Sequence, residues 1–135
     1  MKGPMKSVAV ATLVTMLASR DASALDCANA ITTPDINECV AIEKDKVEVK
    51  LNETYQRVLA FLDNSDPLIK EDAAKAKMKL KEAQRAWITF READCDAVYA
   101  YNASGTIRTV MWIGCMQTHA EQRIAELNSF MEGGG

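Results

Sequence analysis

Residues 66–101 read DPLIKEDAAKAKMKLKEAQRAWITFREADCDAVYAY, and this stretch decides the fold. Asp66 stands directly before Pro67, an N-cap residue followed by the one residue pre-set for the first helical position. From there Ile69, Ala73, Ala76, Leu80, Ala83, Trp87, Phe90, Ala97 and Tyr101 recur at helical spacing, while Lys and Glu fill the other face. The pattern predicts one helix to about Tyr101, roughly 50 Å long at ~1.5 Å per residue. A helix of that length in a small domain is expected to overhang its neighbours or to bend.

Moving toward the N-terminus, Asp63, Asn64, Ser65 and Asp66 form a polar turn. Before it, Ile36, Val40, Val47, Leu51, Tyr55, Val58 and Leu62 step as a second helical stripe. Thr33 is the expected N-cap, Pro34 the first helical residue, and Asp35 and Glu38 suit the positive helix end. Moving toward the C-terminus, Asn102, Ala103, Ser104 and Gly105 break the pattern. A further helix is expected from about Thr106, with Val110, Ile113, Met116, Ala120, Ile124, Leu127 and Met131 inward. Gly114 lies inside it and is expected to permit close approach of a neighbouring helix. No segment sustains period-two alternation, so the expected fold is all-α, a small three-helix antiparallel bundle.

The chain has 135 residues, 48% apolar, with a formal net charge of −3 and a pI near 5.2. This is the size of one domain, with apolar residues enough for a packed core. An acidic balance without a basic block argues against nucleic acid as a partner. The single histidine leaves little from which to build a His-based metal site or a Ser/His or Cys/His catalytic pair.

Residues 1–24 read as a cleaved signal peptide. Lys2 and Lys6 precede an apolar run from Ser7 to Ala18, and Ala22, Ser23 and Ala24 supply small residues at a cleavage site. The run is shorter than the ~20 apolar residues a membrane-crossing helix needs. Lipid attachment at Cys27 is disfavoured by Asp26 directly before it. Cleavage after Ala24 leaves residues 25–135 as one domain. It removes Lys2, Lys6, Arg20 and Asp21, leaving 13 basic and 18 acidic groups, a net of −5. The expected location is the periplasm or the exterior of a bacterium, with no membrane association after cleavage.

Cys27, Cys39, Cys95 and Cys115 all remain after cleavage, and an even number in a small exported domain points to two disulfides. Zinc would want ligands paired as C-x2-C and redox chemistry a C-x-x-C, and neither is present. Of the three pairings, Cys27–Cys39 forms a local clip at a helix start, and Cys95–Cys115 joins two antiparallel helices across a turn. That combination is the expected one.

Few residues gather into a chemical constellation. Glu92, Asp94 and Asp96 fan around a helix without an EF-hand loop pattern, and so read as a solvated face. His119 has no second histidine to work with. Trp87 and Arg91, spaced i, i+4, are neighbours, and the guanidinium is expected over the indole or on a carboxylate of another helix. Arg123 is a second candidate for such an interhelical pair. No catalytic residue, cofactor or metal site is expected.

The same residues carry a family resemblance. Leu25-Asp26-Cys27-Ala28-Asn29-Ala30, then Thr32-Thr33 and Asn37-Glu38-Cys39, resembles the opening of the N-terminal domain of LprI-type lysozyme inhibitors. Ala83-Gln84-Arg85-Ala86-Trp87 with Phe90, Arg91 and Cys95 fits its W-x3-R-x3-C spacing, and Cys115 with Thr118, Glu121, Arg123 and Leu127 closes it. The resemblance spans nearly all of residues 25–135. It implies a secreted or periplasmic helical domain, the four cysteines as disulfide partners, and Trp87, Arg91 and Arg123 as family-pattern residues of structural role. It also implies an exported, non-enzymatic binding protein that inhibits lysozyme-like cell-wall hydrolases. The partner is then a protein, with a cationic lysozyme the leading candidate, and a net charge of −5 favours encounter with it. The expected partner-binding loops are the two turns, at Asp63, Asn64, Ser65 and Asp66, and at Asn102, Ser104 and Gly105. The rival reading is an interaction, assembly or immunity module of the cell envelope that binds another protein.

Overall fold

The computed structural model describes residues 25–133, so the expected signal segment lies outside the described residues. Three long helices follow a single 3-10 turn at Cys27–Asn29: α1 (Thr33–Asp63), α2 (Lys70–Tyr101) and α3 (Arg108–Met131). Among the described residues there is no strand. The helices run up, down and up, as an antiparallel three-helix bundle. α1 packs chiefly on α3, while α2 packs more on α3 than on α1.

Local chemistry explains each boundary. The cap of α1 is Thr32, one residue earlier than the sequence suggested: its hydroxyl accepts from the Asp35 amide, leaving Thr33 and Pro34 in the first turn. At the other end Asn64 donates its side-chain amide to the Ala60 carbonyl at 2.8 Å, and Ser65 donates its hydroxyl to the Phe61 carbonyl. Asp66 then accepts from the Leu68 amide at 2.8 Å and starts a 3-10 turn, Pro67–Ile69, that runs directly into α2. α2 continues unbroken for 32 residues. In the lead-in, hydrogen bonds from the Asn29 side chain and the Ala28 amide hold the Asp26 carboxyl below its ordinary value.

The core consists of Leu51, Val58 and Leu62 of α1, Ala73 and Leu80 of α2, and Ala120, Ile124 and Leu127 of α3. The inward line of α2 departs from the expected one beyond Leu80. Gln84, Arg91 and Cys95 are buried, with Trp87 half-buried between them, whereas Phe90 and Tyr101 are 57% and 91% exposed. The observed line advances by threes and fours through Gln84 and Arg91. A reading that follows apolar residues alone steps around them, by Ala83 and Phe90, and drifts off the buried face. Ile36, expected inward, is likewise exposed, and Thr54 fills a fully buried place by donating its hydroxyl to the Lys50 carbonyl at 2.8 Å. A Cβ added at Gly114 would meet nothing within 4 Å, so that glycine permits no close approach.

Both disulfides pair as expected. Cys27–Cys39 ties the lead-in turn to α1, and Cys95–Cys115 joins α2 to α3, each with Cα atoms 5.6 Å apart. Two staples and a core limited to one interior face per helix are consistent with a domain of this size.

Candidate functional site

The charged groups within the bundle form a seam joining all three helices. Arg91 of α2 donates from Nη1 to Oε1 of Glu48 on α1 at 2.7 Å, and its guanidinium lies 4.6 Å from the ring centroid of Trp87. Arg123 of α3 approaches the same indole at 5.9 Å, donates from Nε to Gln84 Oε1 at 3.0 Å and from Nη1 to Glu126 at 2.7 Å. The indole is thus bracketed by two cations that are each held by an acceptor. Nε of Arg91 is buried without a partner, so the guanidinium is held by Glu48 and the ring. Trp87 and Arg91 are neighbours, as their i, i+4 spacing suggested, and Arg123 reaches the same indole from α3. Glu48 and Gln84 complete the group and carried no local signal.

A second cross-link lies toward the α2–α3 turn. His119 and Asp94 meet through Nε2 and Oδ2 at 2.8 Å, and the Phe90 ring stands edge-on to the imidazole at 5.6 Å between centroids. The Trp112 indole donates to Asp96 Oδ1 at 3.1 Å. Glu92, Asp94 and Asp96 are exposed, as expected of a solvated face, and Asp94 and Asp96 each also bind a side chain of α3. The disulfide Cys95–Cys115 lies beside them, and a ring nitrogen of His119 and both sulfurs fall within 4.8 Å of one another.

The two turns occupy opposite ends of the bundle. Asp63 accepts from Lys77 Nζ at 2.6 Å, and Asn64, Ser65 and Asp66 are the capping groups described above. This end carries an apolar cleft of about 340 Å³ lined by Phe61, Leu62, Ile69, Ala73, Phe130 and Met131. Beside it Leu68 is 93% exposed. At the other end Asn102 donates to the Val98 carbonyl, its own carbonyl accepts from the Gly105 amide, and Arg108 donates to the Ala103 carbonyl. Ser104 and Gly105 line a polar hollow of about 380 Å³ with Thr33, Asn37, Thr106 and Arg108. Asn37 Oδ1 is buried without a partner. The turns are therefore ordered by their own polar side chains; the first adjoins an apolar cleft, and the second a polar hollow, with Tyr101 and Ile107 exposed on either side of it.

These features define a class: a small helical domain stapled by two disulfides, with a charged seam that joins its helices and shaped surfaces at its ends. The chain belongs to the lysozyme inhibitor LprI family, whose model matches residues 26–127. It is similar to an uncharacterized protein of Rhizobium meliloti, with 33% identity over 110 residues, 79% of either chain. It is also similar to the uncharacterized protein YecT of Escherichia coli, with 24% identity over 100 residues, 70% of this chain and 62% of that one. No solved structure matches. Among the described residues no helix is long and apolar enough to cross a membrane.

Proposed function

We propose that this chain is an exported, non-enzymatic binding protein that inhibits a lysozyme-like cell-wall hydrolase, and that it docks by the end of the bundle bearing the Asp63–Asp66 turn. Membership of the lysozyme inhibitor family is the observation that carries the reading. Two features support the choice of end. The cleft between Phe61, Ile69 and Phe130, with Leu68 projecting beside it, offers apolar surface that a partner side chain can fill. Asp66 and Asp72 are exposed around it, and such carboxylates suit a cationic enzyme. The turn is held by its own caps, so little ordering is required on binding. Lysozymes hydrolyse glycosidic bonds with two carboxyl groups in a cleft, and a rigid knob seated across that cleft excludes the glycan.

Binding is tested by titrating residues 25–135, disulfides intact, into a c-type lysozyme in a calorimeter at low salt. A one-to-one complex that weakens on substitution of Leu68 or Phe61 supports the reading. Heats no larger than dilution, with several lysozyme types, would remove it in favour of a different protein partner of the cell envelope.

A further inference from the structure

We propose that the reduced chain carries a zinc site made by Cys95, Cys115 and His119, and that this site and the Cys95–Cys115 disulfide are alternative states of the same α2–α3 junction. Cys115 and His119 are four residues apart on α3, one turn apart on one face, which is a ligand spacing that helices use for metals. Cys95 faces them from α2, and the two sulfurs and a ring nitrogen of His119 lie within 4.8 Å of one another. With Zn–S bonds of about 2.3 Å, a tetrahedral site needs its sulfurs roughly 3.8 Å apart. Cα atoms 5.6 Å apart allow this by side-chain rotation alone.

The surroundings fit such a site. Asp94 Oδ2 lies 2.8 Å from Nε2 of His119, so with the hydrogen on Nε2 the carboxylate fixes the ring and leaves the Nδ1 lone pair for a metal. A carboxylate behind a ligating histidine is the usual second support of zinc sites. Phe90 packs perpendicular to the imidazole, and Cys95 is fully buried. Three protein ligands leave the fourth position to a water.

The conversion balances with a dithiol reductant. Its two thiols close to a disulfide while the Cys95–Cys115 bond opens, passing two electrons and two protons to the protein sulfurs. Zinc then binds both as thiolates, and the two thiol protons leave to solvent.

The test uses residues 25–135 reduced under a phosphine and titrated with Co2+ in place of zinc, followed by absorbance and far-ultraviolet circular dichroism. The Cys27→Ser/Cys39→Ser variant isolates the second cysteine pair. The expected result is one Co2+ per chain with thiolate-to-cobalt charge-transfer absorption, displaced by Zn2+, in both the parent and this variant. His119→Ala is expected to weaken binding at least tenfold, and the oxidised chain to show no such band. Should reduction lower the helix content, recovery on adding Zn2+ gives the same answer. The proposal is overturned by absence of the band at micromolar Co2+ whether or not the helices persist. It is equally overturned by loss of the band in C27S/C39S, or by unchanged affinity in H119A.

Discussion

Replacing Arg91 by alanine should be the most destabilising single change to a charged residue in this domain. The side chain is 9% exposed and its partner Glu48 is 25% exposed, with one ion-paired hydrogen bond of 2.7 Å between them. Removing one member of a buried pair leaves the other charge without a counter-ion, a loss of about 3–5 kcal/mol. Glu48 keeps some contact with water, so the lower end applies. The face of Trp87 also loses the closer of its two cations, which is part of the same figure. A loss of about 3 kcal/mol is the expectation. With an unfolding entropy of ~2.1 cal/mol/K per residue over roughly 110 residues, this lowers Tm by about 13 °C. Urea unfolding followed by circular dichroism measures it, and the double variant Glu48→Met/Arg91→Met should recover most of the loss because no charge is left stranded. A cost under about 1 kcal/mol with an unchanged m-value, or strict additivity of E48M and R91M, would refute the assignment of the seam as the tie between α1 and α2.

The two disulfides should differ in importance. Their sequence separations of 20 and 12 imply about 3 kcal/mol each by restriction of the unfolded chain. Serine at Cys95 is fully buried, however, while the segment that Cys27 anchors can detach, so C95S/C115S should lower Tm more than C27S/C39S in a thermal melt. Leu68→Asp should leave stability within ~0.5 kcal/mol, since the side chain is in solvent, yet weaken lysozyme binding by about 30-fold or more if it is a docking anchor. For residues 25–135, which carry a net charge of −5, binding should weaken steeply between about 50 and 500 mM salt, because the attraction to a cationic enzyme is screened; a salt-independent affinity would show that apolar contact alone holds the complex.

Periodicity was sufficient to reveal three helices and their turns, because the apolar positions of α3 and of the C-terminal half of α1 have few polar rivals. It failed on α2 beyond Leu80, where Gln84 and Arg91 occupy core positions. A polar residue can take such a place only if a partner meets it, and Glu48 and Arg123 come from elements distant in sequence. The disulfide pairing was legible because each bridge spans a local feature, a helix start in one case and a turn in the other. The links of Asp94 to His119 and Asp96 to Trp112 were not, since neither residue of a pair announces the other. For the same reason the turn residues were legible as turns, whereas the cleft beside Asp63–Asp66 depends on Phe130 and Met131 arriving from the end of α3.

Inhibition of the hydrolase is read from the initial rate of cell-wall lysis. With a c-type lysozyme at fixed concentration and low salt, increasing amounts of residues 25–135 with both disulfides intact should slow the loss of turbidity, saturating near one inhibitor per enzyme where binding is tight. Undiminished lysis at large molar excess, across several lysozyme types, would contradict it.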